Sequence, residues 1–240
     1  MKKYLLILCL LALLLGGCGN QKKTKEDPVF SHFLSQEDLT SYVSKSKGQV
    51  SFLGSPKEDF TGLLERTKDP DLSHSIWEGL EEGKKVTVES YQVDKVLYSR
   101  ENGKSWQKSS LEDGAQGKEK TSFVGQTILS PDKVLKNLKD YYVVQEEEGI
   151  YVASLESSPE TIGEIQDILF GKDGKDPVFG DLTSFKAKFS FEKETYYPLS
   201  FSWEASFLSP DKKTTTINQE GTYEKVNALE KIDLPEEIQE

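Results

Sequence analysis

The chain has 240 residues, of which 35% are hydrophobic and 10% aromatic, and its formal net charge at pH 7 is −11. Such an acidic chain argues against nucleic acid as a partner, because phosphate backbones attract basic surfaces. The two cysteines are Cys9 and Cys18. The sequence after residue 18 therefore excludes disulfides, thiol catalysis and cysteine metal sites. Length and aromatic content suffice for one domain with a core of its own.

The N-terminus carries the pattern of an export signal. Lys2 and Lys3 precede an apolar run from Tyr4 to Leu15, which is too short to span a bilayer as a helix, since about 20 apolar residues are needed. Leu15-Gly16-Gly17-Cys18 then resembles a bacterial lipobox. The resemblance implies cleavage before Cys18, acylation of its thiol with a diacylglyceryl group, and a lipid anchor on the extracytoplasmic side of the cell membrane. The alternative is an ordinary secretory signal in which Cys18 is incidental.

Three parts are predicted along the chain. Residues 1–17 are the signal peptide, 18–29 the lipidated cysteine with a flexible tether, and 30–240 a single domain. Residues 19–28 of the tether are polar and include no apolar residue, which is typical of a solvated spacer. Loss of Lys2 and Lys3 reduces the 30 basic residues to 28 against 41 acidic ones, so the mature chain has a net charge of −13.

Four segments show helical signals. They begin at Ser35, Asp71, Ser130 and Ser158 and end near Gly48, Gly83, Tyr141 and Gly171. The first opens on a capping-box pattern, and the second places Leu72, Ile76 and Leu80 on one helical face. The last two open on serine followed by proline, which favours a helix start.

The other segments show the alternation of β-strands. The predicted strands are 49–53, 86–88, 93–98, 104–109, 123–129, 141–145, 150–155, 185–191, 199–207 and 214–223. Asn102-Gly103 and the acidic segment 146–149 lie between such runs and predict hairpin turns. Residues 209–212 repeat the Ser-Pro-Asp-Lys sequence of 130–133, but alternation on both sides predicts a turn there. Residues 112–120 and 171–181 are predicted loops.

Hairpins dominate this pattern, without a βαβ rhythm or a fixed-period repeat. We therefore predict an α+β fold, a large twisted antiparallel sheet of nine or ten strands with helices packed against one face. Six aromatic side chains in the C-terminal strands would share one face of this sheet: Phe185, Phe189, Phe191, Phe201, Trp203 and Phe207. They form either a packed core beneath the helices or the lining of an apolar cavity.

No catalytic constellation is found, and neither a metal nor a cofactor is predicted. His32 and His74 lie far apart and lack partners at metal-ligand spacing; His32 is assigned to the entry segment and His74 to the surface. Residues 173–176 lack the acids of a calcium loop, and the acids at 146–148 fit a solvated hairpin tip. No nucleophile elbow or P-loop occurs.

Two stretches resemble a known superfamily. They are Val93–Tyr98 followed by Gly103–Trp106, and Lys193–Leu199 followed by an alternating strand, with Leu234–Glu237 near the end of the chain. Together they resemble the LolA-like lipoproteins, including the mycobacterial LppX/LprG type and related Gram-positive cell-surface lipoproteins. The resemblance implies a half-open β-barrel with helices on its concave face, where some members hold acyl chains.

Two functions remain open from the sequence. The first is a non-enzymatic, membrane-anchored lipoprotein that binds or carries a lipid-like ligand between sheet and helices. The second is a cell-envelope interaction protein, of the sensor, accessory or immunity type, with a packed core and no ligand. The ligand, the protein partner and the oligomeric state are not predicted.

Overall fold

The computed structural model of the protein describes residues 38–81, 83–110, 130–170 and 180–239. These residues form eleven β-strands, two α-helices and two short 3₁₀ helices. In this part of the chain, no helix is both long and apolar enough to cross a membrane.

The strands follow one another through short turns over most of the chain. They are β1 (Ser41–Ser51), β2 (Glu58–Lys68), β3 (Asp71–Glu81), β4 (Lys84–Val93), β5 (Val96–Glu101), β6 (Gln107–Ser110), β7 (Val143–Glu147), β8 (Ile150–Glu156), β9 (Asp181–Glu192), β10 (Pro198–Leu208) and β11 (Thr214–Glu224). The helices are α1 (Pro131–Asn137) and α2 (Ile162–Phe170), and the 3₁₀ helices are Lys139–Tyr141 and Glu236–Ile238.

All eleven strands form one antiparallel sheet, in the order β6-β5-β4-β3-β2-β1-β11-β10-β9-β8-β7. The first and last of these eleven strands pair at the centre of the sheet, from Val43 opposite Glu224 to Ser51 opposite Thr216. All other neighbouring strands are consecutive in the sequence. We call strands β1–β6 the N-terminal arm and β7–β11 the C-terminal arm. The predicted large antiparallel sheet is confirmed.

Side chains alternate between the two faces of the sheet. We call the face that holds the predicted aromatic side chains the apolar face. One of its cross-strand rows is Gly48, Gln219, Trp203 and Ala187. The polar face is the opposite one, and its adjacent row is Lys47, Glu220, Ser202 and Lys188. The main hydrophobic cluster combines apolar-face side chains with Val134, Leu135 and Leu138 from α1 and its C-terminal end and with Ile165 from α2.

The first predicted helix is wrong. Its residues 41–48 lie in strand β1, and Gly48 is inside the strand instead of ending a helix. A Cβ atom on Gly48 would lie 2.1 Å from the carbonyl oxygen of Asn218 and 2.3 Å from the ring of Phe60. Glycine therefore marks a close approach within the sheet here.

The second predicted helix, residues 71–80, is also wrong. It is strand β3, which pairs with both β2 and β4. Leu72, Ile76 and Leu80 are four residues apart, and an even spacing places side chains on one face of a strand as well as of a helix. His74, predicted to lie at the surface, is 9% exposed.

The predicted strand 93–98 is wrong, because a turn at residues 94 and 95 separates β4 from β5. Two helix starts and two turns were predicted correctly. Helix α1 begins at Pro131 after Ser130, and α2 begins at Ile162 after the Ser-Pro signal. Asn102 and Gly103, with φ of 51° and 71°, form the predicted turn between β5 and β6. Residues 209–212 form the predicted turn, in which the Ser209 hydroxyl accepts the Lys213 amide at 3.1 Å.

Several predictions lie outside the described residues. They are the signal peptide, Cys18 and the tether, the capping-box residues 35–37, His32, the loop 112–120, the strand 123–129 and the turn 173–176.

Candidate functional site: the two faces of the sheet

The six predicted aromatic side chains all lie on the apolar face. Phe185, Phe189 and Phe191 are fully buried, and Phe201, Trp203 and Phe207 are at most 3% exposed. They come from β9 and β10, where strict alternation directs every second side chain to the same face. The structure therefore brings all six into one buried cluster.

These rings contact one another in pairs. Phe189 packs against Phe201 with ring centroids 6.1 Å apart and meets Tyr142 edge-on at 5.8 Å. Phe201 in turn meets Tyr223 edge-on at 5.7 Å. Such pairs stabilise a cluster by about 0.5–1.5 kcal/mol each beyond the burial of their area.

One polar chain crosses this apolar cluster. The indole nitrogen of Trp203 donates to Gln219 Oε1 at 3.0 Å, and Gln219 Nε2 donates to the Ser46 hydroxyl at 3.0 Å. Gln219 is 2% exposed, and a buried side-chain amide without hydrogen-bond partners would destabilise the fold. These two bonds supply the partners. No local sequence pattern predicts the role of Gln219, because its partners lie on other strands.

In the N-terminal arm, aromatic rings lie over glycines. The ring of Trp77 covers Gly62, where a Cβ atom would be only 2.0 Å from the ring, and the ring of Phe60 covers Gly48. Phe60 and Trp77 meet edge-on at 6.3 Å. The glycines thus let large rings lie along the apolar face near the sheet backbone.

Asp132, in the first turn of α1, joins the helix to three strands. Tyr42 of β1 donates to Asp132 Oδ2, and Tyr223 of β11 donates to Asp132 Oδ1 at 3.5 Å. Arg66 of β2 places Nη1 3.5 Å from Asp132 Oδ2 and Nη2 3.6 Å from Asp71 Oδ1. We call Asp132, Tyr42, Tyr223 and Arg66 the Asp132 cluster.

Burial dominates the titration of this cluster. It raises the pKa of Asp132 above the usual 3.8, although the contacts with Tyr42, Arg66 and Tyr223 act in the opposite direction. Burial also raises the pKa of both tyrosines well above 10.0, and the nearby Asp132 carboxylate adds to this. The tyrosines are therefore neutral hydrogen-bond donors. For Asp132, burial disfavours the charged carboxylate more than its contacts favour it.

The polar face carries a groove across the centre of the sheet. Its larger part encloses about 840 Å³ and is lined by residues of β2, β1, β11, β10 and β9. An adjoining part of about 610 Å³ is lined by β1, β11, β10 and β9 and is rich in serine and threonine hydroxyls. Both parts share Lys47, Lys188, Ser202 and Glu220.

Ion pairs line this groove. Lys47 lies 3.1 Å from Glu220, and Lys45 lies 2.8 Å from Glu224, with all four side chains more than 40% exposed. Exposed pairs of this kind contribute little to stability, about 0–1 kcal/mol. Their charges therefore remain available to an incoming polar partner.

On the polar face of the N-terminal arm, His74 lies between two carboxylates. Its Nδ1 is 2.9 Å from Glu65 Oε2, and its Nε2 is 3.2 Å from Glu89 Oε1. Tyr91 stacks on the imidazole with centroids 4.3 Å apart, and Arg100 Nη2 pairs with Glu89 at 2.7 Å. We call these five residues the His74 cluster.

Trp106 extends this cluster towards β6. The Arg100 guanidinium lies 4.4 Å from the centroid of the Trp106 ring, and Tyr91 meets the ring edge-on at 5.6 Å. Burial raises the pKa of Tyr91, and the nearby carboxylates of Glu89 and Glu65 add to this. No group of acids and histidines in the described part of the chain is arranged to hold a metal ion.

Comparisons with known proteins give remote likenesses in structure. A LolA superfamily protein from Nitrosomonas europaea is 11% identical, with 88% of this chain and 95% of that chain covered and a TM-score of 0.32. Rv2717c from M. tuberculosis is 6% identical, with coverages of 82% and 98% and a TM-score of 0.28. A β-barrel-like protein from Brucella abortus is 10% identical, with coverages of 78% and 96% and a TM-score of 0.23.

Sequence comparison assigns the chain to a family. No curated protein matches it. The sequence profile of DUF6612, a family of unknown function, matches residues 57–240, which include ten of the eleven strands and both helices. The protein therefore belongs to the DUF6612 family.

Proposed function

We propose that the protein is a lipoprotein, anchored through Cys18 on the extracytoplasmic side of the cell membrane, whose domain binds a lipid-like ligand on the apolar face of the sheet. The anchor is supported by the sequence Leu15-Gly16-Gly17-Cys18 after a short apolar run. The tether that follows is polar and long enough to hold a folded domain clear of the bilayer.

The observation that carries the ligand-binding proposal is the size of the apolar face. Eleven strands at roughly 4.8 Å spacing form a sheet about 48 Å wide. Helices α1 and α2 have 7 and 9 residues, so they extend only about 10 and 14 Å. The rings that β9 and β10 contribute to this face are at most 3% exposed, so a lipid-like ligand would bind by entering between these rings and the two short helices.

The experiment separates a bound lipid from the covalent one. In the full chain with Cys18→Ala, no diacylglyceryl group can be attached, so any lipid that accompanies the purified protein is held by the domain. Native mass spectrometry and solvent extraction are expected to find a lipid in stoichiometric amount. Phe201→Ala is expected to reduce that amount, whereas Leu208→Ala, at a position 40% exposed, should not.

Two results would contradict the proposal separately. Repeated absence of any lipid from Cys18→Ala protein would refute ligand binding. Persistence of Cys18→Ala protein in the membrane fraction after removal of its signal peptide would refute the acylated anchor. In the expected case, the variant leaves the membrane fraction.

A second function is supported by the groove on the polar face, namely binding of a protein partner in the cell envelope while the apolar face serves only as core. The groove presents Lys47, Lys188 and Glu220 beside serine hydroxyls. Lys47→Glu with Lys188→Glu would then weaken partner capture in cross-linking experiments on intact cells, without changing the lipid content. If this double variant captures the same proteins as the wild type, the groove is not the interaction surface.

A further inference from the structure

The apolar face is not apolar throughout. On the N-terminal arm it carries a row of three serines, Ser75 of β3, Ser90 of β4 and Ser99 of β5, which lie opposite one another in the sheet. We call these three residues the serine ladder. At a strand spacing of about 4.8 Å, the ladder extends about 10 Å across the sheet. All three residues are partly exposed, so a molecule in solution can reach them.

Within the described residues, the hydroxyls of the serine ladder have no hydrogen-bond partner. Serines on the other arm do find partners, since the hydroxyls of Ser190 and Ser200 bond to each other at 2.6 Å. Each serine hydroxyl offers one donor and two acceptor positions. Polar groups in partly covered places are usually satisfied by protein, water or a ligand. The serine ladder is therefore free to bind a polar molecule.

Trp77 and Gln92 flank the serine ladder on the same face. Trp77 lies two residues beyond Ser75 along β3 and is partly exposed, and Gln92 lies two residues beyond Ser90 along β4. An indole ring offers a flat apolar surface on which the C–H face of a sugar ring can pack. The amide of Gln92 adds a further acceptor and donor beside the hydroxyls. An aromatic ring beside several polar groups suits a ligand that carries many hydroxyls.

The charged groups nearest to the ladder are already paired. Arg66 contacts Asp132 and Asp71. Glu101 lies 3.1 Å from Lys104. A charged group on the ladder would exchange water for neutral hydroxyls, which is unfavourable for an ion. A neutral hydroxyl-bearing group has no such cost.

The serine ladder adjoins the main hydrophobic cluster. Leu64 of β2 lies opposite Ser75 and packs against that cluster. The same row continues through Ser44 of β1 to Tyr223 of β11, at the centre of the sheet. A single row of this face therefore passes from an aromatic ring to a series of hydroxyls. Such a row suits a molecule that has an apolar part and a polar part.

We propose that the serine ladder is a subsite for a neutral saccharide group, which holds the sugar headgroup of an amphiphilic ligand whose apolar part enters beside the rings. The inference rests on the ligand-binding function proposed above and names the polar part of the ligand. The same hydroxyls would recognise a free saccharide, and the experiment separates these two sources.

The test compares ligands that share an alkyl chain and differ in the headgroup. Dodecyl maltoside, a dodecyl polyoxyethylene ether and free maltotriose are titrated into the full chain with Cys18→Ala. Both detergents are kept below their critical micelle concentrations, and isothermal titration calorimetry measures binding. We expect the maltoside to bind about tenfold more tightly than the ether, which is the effect of one or two additional hydrogen bonds.

A double variant tests whether the ladder causes this preference. Ser75→Ala with Ser90→Ala removes two hydroxyls and should abolish the preference for the maltoside. Binding of the ether should stay unchanged, which shows that the fold and the apolar part of the site persist. Ser202→Ala with Ser206→Ala is the matched control, because these partly exposed serines lie on the polar face in β10. The control variant should keep the preference.

The outcomes distinguish this inference from the function on which it rests. If both detergents bind equally well, or if the preference survives Ser75→Ala with Ser90→Ala, the ladder is not a saccharide subsite and only this inference is overturned. If neither the detergents nor maltotriose bind, the ligand-binding function fails and the subsite fails with it. If maltotriose alone binds, and the double variant abolishes its binding, the subsite holds a free saccharide and the lipid-like ligand is refuted.

Discussion

The two arms of the sheet bury their side chains in different ways. In the C-terminal arm, β10 alternates between buried residues such as Trp203 and accessible ones such as Ser202, so that burial lies mainly on the apolar face. In the N-terminal arm both faces hold buried residues. Phe60 on the apolar face is 3% exposed, and Leu72 and Tyr91 on the polar face are 7% and 5% exposed.

This difference in burial gives the polar face a different character in each arm. Because the polar face near β9, β10 and β11 is accessible, a groove with paired charges forms there. On the N-terminal arm the polar face instead holds the His74 cluster, whose histidine is 9% exposed. A sheet with one buried face leaves the other open to partners, whereas burial on both faces favours a structural role.

The largest effect is expected in the buried rings of the C-terminal arm. Phe189→Ala removes a ring that is fully buried and contacts Tyr142 and Phe201. The loss in unfolding free energy should be about 3–5 kcal/mol, measured by urea denaturation. Leu208→Ala, at an exposed position in the same arm, should change stability by less than about 0.5 kcal/mol. Similar losses in both variants would contradict a core confined to one face.

The glycines under aromatic rings give the next effect. In Gly48→Ala the new methyl group would meet the Asn218 backbone carbonyl at 2.1 Å, whereas in Gly62→Ala it would meet the side chain of Trp77. Overpacking costs about 1–3 kcal/mol, and a side chain can move more readily than a strand. Gly48→Ala is therefore expected to be the more destabilising of the two in thermal unfolding.

A further change separates the two glycines. Trp77→Leu should relieve Gly62→Ala in the double variant, and it should give no relief to Gly48→Ala. Equal losses for both alanine variants, with no relief by Trp77→Leu, would show that the rings do not lie over the glycines as described.

The sequence predicted the C-terminal arm well because its burial is one-sided. Strict alternation in Phe185–Phe191 and in β10 leaves only one possible register of inward and outward side chains. Asn102-Gly103 was equally readable, since both residues tolerate positive φ and few others do. The local sequence alone therefore predicts β9, β10 and this turn.

The N-terminal arm misled prediction for physical reasons. Where both faces are partly buried, apolar residues lose the period of two, and the spacing of Leu72, Ile76 and Leu80 fits a helix and a strand equally. Gly48 has the chemistry of a helix terminator, but it lies where Phe60 approaches the sheet. Neighbouring strands, rather than local propensity, determine these two segments.

The candidate sites were only partly predictable. The six aromatic residues could be placed on one face, because alternation fixes faces. Asp132 lies in the helix predicted to begin at Ser130, but its partners Tyr42 and Tyr223 are 90 and 91 positions away in the sequence. No local pattern predicts such a pairing, which depends on the meeting of β1 and β11 at the centre of the sheet.

A smaller effect tests the polar face of the N-terminal arm. His74→Ala removes contacts with Glu65 and Glu89 and the stack on Tyr91, and leaves the two carboxylates without the ring between them. We expect a loss of about 1–3 kcal/mol in urea unfolding. Ser202→Ala, on the polar face of the other arm, should cost less than about 0.5 kcal/mol. If Ser202→Ala were the costlier change, the contrast between the arms would be reversed.

The seam between the arms should respond to pH through Asp132. Burial raises the pKa of this carboxyl above 3.8 in the folded state, so its contribution to stability is fully present below pH 3.8 and is lost as pH rises through the folded pKa. Relative to Asp132→Asn, the wild type should therefore lose stability as pH rises from below 3.8 towards neutrality. Urea unfolding of both proteins across this range measures the free energy of unfolding of the wild type minus that of Asp132→Asn. If this quantity rose with pH, the raised pKa would be contradicted.

The smallest effect concerns the open polar face. Lys47→Ala removes an ion pair with Glu220 in which the side chains are 73% and 61% exposed. Because water already solvates both charges, the change in unfolding free energy should be below about 0.5 kcal/mol and should diminish further with added salt. Lys85→Ala, which breaks the exposed pair with Glu78 within the N-terminal arm and away from the groove, serves as the control. A loss above 1 kcal/mol for Lys47 alone would mean that the groove is part of the folded core, and it could not then be a free surface for a partner.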